Sequence, residues 1–393
     1  MAQGEFIALM AMLSATVAFS IDSMLPALPQ IGAELSPSDV NRAQLILTAF
    51  VLGLGLGTFV TGPMSDAWGR RPVILGGAAL YSLGAVLAWA APSLEWMLAA
   101  RLLQGLGAAG PRVVAIAMVR DLHAGRDMAR ITSFIMIVFM IVPAIAPALG
   151  AVIITAFGWR SIFLSFLIFA LLTMTWLALR QPETLPPEAR RPLRPTLLWQ
   201  AMVEVLANPV TRLAILLQTL AFAMLFAMLS TVQPIFDVTY GEGARFPLWF
   251  AVIAVFSAGG SALNARLIRG LGIRRMVTTV FALQALLTAL LLAALFAGLP
   301  RGVEFALVLA WTTGIFVQAG LTIGNLSALA LEPLGHIAGM AASITVALAT
   351  VGSVIIAAPI GLAFDGTAIP IAVGLLLLAL VSAALSRLIP RGA

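Results

Sequence analysis

The chain contains no cysteine, no lysine and only two histidines, and charged residues make up just 10% of it. Without cysteine, disulfides and thiolate metal sites are excluded. The histidines, His123 and His336, are too far apart in sequence to argue for a metal centre, and both fall in or near loops where solvation is expected. No glycine-rich phosphate loop of the Walker type is present, so ATP is not expected to drive this protein. No cofactor or metal is expected. The scarcity of charge argues against an ordinary soluble domain, which carries about 25% charged residues. The alternating segments that build membrane barrels are absent as well.

What the chain has in excess is apolar surface: 61% of its 393 residues are hydrophobic. Such a chain needs lipid as its solvent. Twelve apolar runs stand out, over about 6–28, 43–62, 73–92, 96–119, 131–155, 161–180, 211–234, 246–265, 275–298, 303–330, 337–361 and 367–388. Each is near the roughly 20 residues that a spanning helix needs. The first run is followed by many others and has no suitable small-residue cleavage site, so it reads as a retained span, not a signal peptide. Residues 181–210 break the pattern, with Pro186, Pro187, Pro192 and Pro195 mixed among Arg190, Arg191 and Arg194. Proline at this density forbids a regular helix at the start, although 196–207 suits a short interfacial helix. The expected layout is a six-helix bundle over 1–180, a cytoplasmic linker over 181–210 and a second six-helix bundle over 211–393.

Orientation follows from arginine. An even number of spans puts both termini on one side. Sixteen of the 22 arginines fall on that side, Arg126, Arg269 and Arg391 among them; four, Arg42, Arg160, Arg245 and Arg301, fall on the other. The bias places both termini in the cytoplasm. The formal net charge of +6 therefore reflects short basic loops, not a nucleic-acid partner. One such turn, Gly62 to Arg71, has a weaker echo in Asn264 to Arg275, with Gly69 aligned on Gly272. A basic turn repeated at half the chain length implies two related halves.

The two remaining arginines, Arg101 and Arg112, lie inside the fourth span, and Asp22 lies inside the first. Each costs about 2.5–3.5 kcal/mol at mid-helix, so such groups pair or face a water-filled cavity and are functional candidates. Asp22 and Arg101 fall at similar height. Arg112 is roughly 16 Å deeper on the same helix face. The simplest arrangement sets Asp22 beside Arg101, and a pair with Arg112 also fits. A carboxyl caught between burial, which disfavours its charge, and an arginine, which favours it, can load and release a proton. The alternative is a permanent ion pair that only locks the first and fourth helices. Weaker features are Gly53, Gly55 and Gly57, which suit close helix packing, and Phe222, Met224, Phe226 and Met228, which suit an adaptable apolar wall or plain packing. Gln218, Gln233, Gln318 and Asn325 suit either substrate or helix–helix bonds.

Gly62 to Arg71 resembles the loop 2–3 signature of the major facilitator superfamily. Arg101-Leu102-Leu103-Gln104-Gly105 resembles the helix 4 signature of its proton-driven drug exporters, and Ala146-Pro147-Ala148-Leu149-Gly150 is similar to their helix 5 antiporter motif. Asp22 to Pro29, with Ala117 to Asp121, resembles the Bcr/CflA branch. The resemblance implies an all-α fold of twelve transmembrane helices in two six-helix bundles, and proton-coupled export of small amphipathic compounds or drugs by alternating access. Multidrug efflux and antibiotic resistance would follow, from a monomer in a bacterial inner membrane whose partners are a small-molecule substrate, protons and the lipid bilayer. It also implies that Asp66, Gly69, Arg70 and Arg71 form a conformational gate with charge contacts between the bundles. By the same resemblance Arg101 would couple proton movement to the site, and Pro147 and Gly150 would shape the helix 5 interface; Asp22 and Arg112 are coupling and substrate candidates from their charge within apolar spans. Departures are Ala67 in place of a basic residue, Ala146 in place of a glycine, and Ser14 where some relatives carry a second acid. Uptake or symport of a small metabolite, such as an anion, is the alternative. An enzyme is not expected, since no nucleophile–base pair stands out.

Overall fold

The computed structural model describes residues 1–390; for residues 126, 129, 139, 140, 261, 262, 265 and 269 it describes the backbone only. Arg391 and the side chains of Arg126 and Arg269, counted above for orientation, therefore lie outside the described residues.

Among the described residues there are helices and no strands. The first unit contains α1 (Gln3–Asp22), α2 (Leu28–Leu35), α3 (Leu45–Trp68), α4 (Arg70–Trp89), α5 (Leu94–Leu122), α6 (Gly125–Phe157) and α7 (Ser161–Arg180). The linker carries α8 (Pro195–Ala207). The second unit contains α9 (Pro209–Pro234), α10 (Phe246–Phe296), α11 (Arg301–Leu331), α12 (Ala338–Leu362) and α13 (Ile369–Ser386). The boundary between the two compact units falls inside α8, between Trp199 and Gln200.

Eleven stretches among the described residues are long and apolar enough to cross a membrane. One of them, Arg301–Leu362, is 62 residues long; at 1.5 Å per residue it would be about three bilayer cores in length. It turns through a short 3₁₀ segment at Glu332–Ile337 and so supplies two of the twelve expected spans. Two expected boundaries move. The first span, expected over 6–28, stops as a helix at Asp22. The loop expected after residue 265 is largely helical, because α10 continues to Gly272 and bends there.

The internal repeat is visible in backbone and packing. Gly69 has φ 101° and ψ 160°, and its aligned partner Gly272 has φ 70° and ψ 163°. Both occupy a region that side-chain-bearing residues avoid. Arg71 donates to the Ala178 carbonyl, near the end of α7. Arg274, 203 positions on, donates to the Arg387 carbonyl just past α13, at 2.7 Å. Each guanidinium meets carbonyls at the negative end of its unit's last helix. In both units the first span packs on the fourth and fifth, α1 on α5 and α6 and α9 on α11 and α12. Small residues set the spacing: a Cβ on Gly53 would lie 2.1 Å from the Leu102 carbonyl oxygen, so α3 and α5 approach as closely as backbones allow.

Candidate functional site

α1 ends at Asp22 for a local reason. Pro26 has no N–H to donate to the Asp22 carbonyl, and Pro29 has none for Leu25. The chain continues as a 3₁₀ turn over Leu25–Ala27 and then as α2. Asp22 is 5% exposed. Among the described residues its carboxyl has no hydrogen bond and no ion partner. Behind the break, α6 passes at backbone contact: a Cβ on Gly150 would lie 1.9 Å from the Ser23 carbonyl oxygen. Ala146, Pro147 and Gly150 are all buried and share one face of α6 through their i, i+3, i+4 spacing.

Arg101, on α5, is fully buried. Its Nη1 donates to Gln104 Oε1 at 2.6 Å and its Nη2 to the Ser20 carbonyl at 3.2 Å. The guanidinium lies 4.3 Å from the centroid of the Phe50 ring and 5.9 Å from those of Phe163 and Phe166. Ser20 Oγ and the Tyr81 hydroxyl are hydrogen-bonded to each other beside it. The positive charge is thus held by ring faces and carbonyl oxygens, with no carboxylate among the described residues paired to it.

The expected ion pair is not formed. Arg101 reaches α1 two residues before Asp22, as the height argument required, but no salt bridge joins them or joins Asp22 to Arg112. Ser20 faces Tyr81 on α4, and two residues at about 100° each carry Asp22 to the far side of α1. Arg112 is half-buried, and its side chain has no hydrogen-bond or ion partner among the described residues.

At the other end of the first unit, the Gly69 turn is held by three acids. Arg70 pairs with Asp66 and with Asp121 Oδ2, the latter at 2.9 Å, and donates to Ser65 Oγ at 2.8 Å. Glu183, just past α7, accepts from the backbone N–H of Arg70 at 2.9 Å and of Arg71 at 3.0 Å. A carboxylate from 113 residues away thereby caps the start of α4, where unpaired N–H groups concentrate positive charge. Gly69 is required by its φ, and a Cβ there would also push on Glu183 Oε2, 2.5 Å away. Contacts between bundles were expected for Asp66, Arg70 and Arg71; every described partner of these side chains lies in the first unit.

The sequence drew attention to neither Glu183 nor the rings of Phe50, Phe163 and Phe166. The available signals were an acid beside Pro182 at the end of the sixth span, and a buried cation needing some aromatic or carbonyl company. In the second unit the amides found protein partners: Gln218 with Ser327 at 2.7 Å, Asn325 with Asn264 at 2.8 Å, Gln318 with Thr322 at 2.9 Å and Gln233 with Asp237 at 3.3 Å. Phe222 and Phe226 stack on one another, and Met224 and Met228 are buried.

Comparison with known proteins agrees with this architecture. Residues 7–357 match the family described as the Major Facilitator Superfamily. The chain is 30% identical over 344 residues to an uncharacterized MFS-type transporter, YdgK, of Bacillus subtilis (strain 168), covering 86% of this chain and 83% of that one. It is 30% identical over 293 residues to a bicyclomycin resistance protein homolog of Haemophilus influenzae, covering 73% of each. Among solved structures, a crystal structure of a D-xylose-proton symporter superposes with a TM-score of 0.77 over 98% of this chain and 97% of that one, at 15% identity. At that identity the likeness concerns the fold.

Proposed function

The chain belongs to the major facilitator superfamily, and from that premise we propose that it is a proton-coupled exporter of small amphipathic compounds, working by alternating access. The observation that carries this reading is Asp22: a buried carboxyl with no partner among the described residues, at a break in the first span. An ionised carboxylate buried without a partner is costly. Such a group suits a cycle in which it holds a proton in one state and surrenders it in another. Substrate enters from the cytoplasm as Asp22 releases its proton inward; after the switch an external proton reloads Asp22 and helps to expel substrate. Each charge moved down 100 mV supplies about 2.3 kcal/mol. Arg101 holds the adjoining stretch of α1 through the Ser20 carbonyl and biases the carboxyl electrostatically. The Gly69 turn acts as the gate, with Asp66, Arg70 and Arg71 fastening one conformation. The protein works as a monomer in a bacterial inner membrane with both termini inside. Resemblance to the Bcr/CflA branch, and the bicyclomycin-resistance name of one relative, favour drugs as substrates.

The decisive measurement is proton release on substrate binding in weakly buffered detergent. Asp22→Asn should still bind substrate and release no proton, because an amide has none to give. Undiminished release would move the coupling elsewhere. Arg112, without a partner among the described residues, favours a second reading, uptake of an anionic metabolite. Direction separates the two: an exporter lowers dye accumulation in cells in an uncoupler-sensitive way, whereas an importer raises uptake of its substrate.

A further inference from the structure

The linker helix α8 has three stripes. Ala201 and Val205 are buried, at 3% and 0% exposure. Gln200 and Glu204 lie on another side at i, i+4 spacing, beside the exposed Leu197. Trp199, Val203 and Leu206, spaced four and three apart, are 66%, 50% and 39% exposed. At about 100° per residue these last three share one face. It is an apolar face that nothing among the described residues covers.

Basic residues flank it in sequence. Arg190, Arg191 and Arg194 precede α8 and Arg212 follows it; all four are exposed, and none has an acidic partner among the described residues. The nearby acids are engaged: Glu183 caps α4, and Glu204 pairs with His336 at 2.7 Å. Glu188 is the remaining acid of the linker. The basic segment is not loose, since the Arg191 N–H donates to the Asp66 carbonyl at 3.0 Å and the Arg190 guanidinium lies against Gly69. It is held at the cytoplasmic turn, where positive-inside bias puts the membrane surface.

We propose that α8 and the arginines before it form a docking surface for anionic phospholipid of the inner leaflet, with Trp199, Val203 and Leu206 entering the headgroup–acyl boundary and Arg190, Arg191 and Arg194 meeting phosphates. An exposed apolar stripe headed by tryptophan and bordered by arginine is the arrangement that binds interfaces, and basic groups beside it select negatively charged lipid. A cytoplasmic protein partner would cover the same face without requiring lipid.

The absence of native cysteine makes the test direct. Val203→Cys and Gln200→Cys, each in the full-length chain, are labelled with an environment-sensitive fluorophore and placed in nanodiscs of phosphatidylcholine with or without phosphatidylglycerol. Quenching by the neutral quencher acrylamide at position 203 should be about threefold weaker with the anionic lipid and unchanged at position 200. Neutralising the arginines (R190Q, R191Q and R194Q together) should abolish the difference. Added salt should abolish it in the protein that keeps its arginines, a control that survives misfolding of the triple variant. Equal quenching in the two lipids, or protection that persists in detergent micelles, would overturn the proposal.

Discussion

At the scale of single residues, the first unit separates two charges that composition alone would join. Arg101 is committed to Gln104, Ser20 and three aromatic rings, and Asp22 is left without a partner among the described residues. Arg101→Lys keeps the charge but loses the planar fork that reaches two oxygens and lies over Phe50. It should cost roughly 1–3 kcal/mol of stability, read as a lower melting temperature in detergent, together with reduced transport. Gly150→Ala is a second test. A methyl group 1.9 Å from the Ser23 carbonyl forces α6 away from the break, at about 1–3 kcal/mol. Gly76→Ala, where a Cβ meets nothing within 4 Å, should instead be neutral or stabilising by up to about 1 kcal/mol. If both alanines behave alike in thermal melts, the contact between Gly150 and the helix break has no energetic weight. Asp22, Arg101 and Arg112 were legible in the sequence because charge is rare in apolar runs. Their pairing was not, because it depends on which way each helix faces. Nor were Phe50, Phe163 and Phe166, three of 21 phenylalanines, most of which suit lipid equally well.

At the scale of elements, apolar length predicted the spans and proline predicted trouble in the linker. Run length overextended the first span, because an average over apolarity does not register that Pro26 and Pro29 remove donors from the helix ladder. The α4 start was half legible: Gly69 marks the turn, but the capping acid is 113 residues away in sequence. Glu183→Ala should lower stability by about 1–2 kcal/mol. Glu183→Gln, which keeps an acceptor without the charge, should fall between the variant and the parent. Chemical unfolding in detergent with all three proteins checks the order, and a glutamine as damaging as the alanine would assign the whole effect to charge.

At the scale of the whole molecule, the repeat is carried more by geometry than by residues. Gly69 and Gly272 share a backbone conformation, and Arg71 and Arg274 share a role, although little sequence around them matches. The arginine bias makes a topology prediction. A membrane-impermeant maleimide applied to intact cells should label Pro92→Cys, between α4 and α5, and leave Ala124→Cys, between α5 and α6, unlabelled until the cells are opened. The reverse pattern would invert the proposed direction of transport.

The two turns differ in one respect. Arg70, which gathers Asp66 and Asp121, has Ile273 as its counterpart 203 positions later, and the second bend relies on Arg274 and a main-chain oxygen. Ionic strength therefore acts on the twins unequally: mobile ions reach the more exposed Asp66 side of the first hairpin's acidic clasp more readily than its sheltered Asp121 side, and meet no ion pair among the described residues at the other turn. The duplicated scaffold carries an electrolyte-responsive copy of the turn and a far less responsive one.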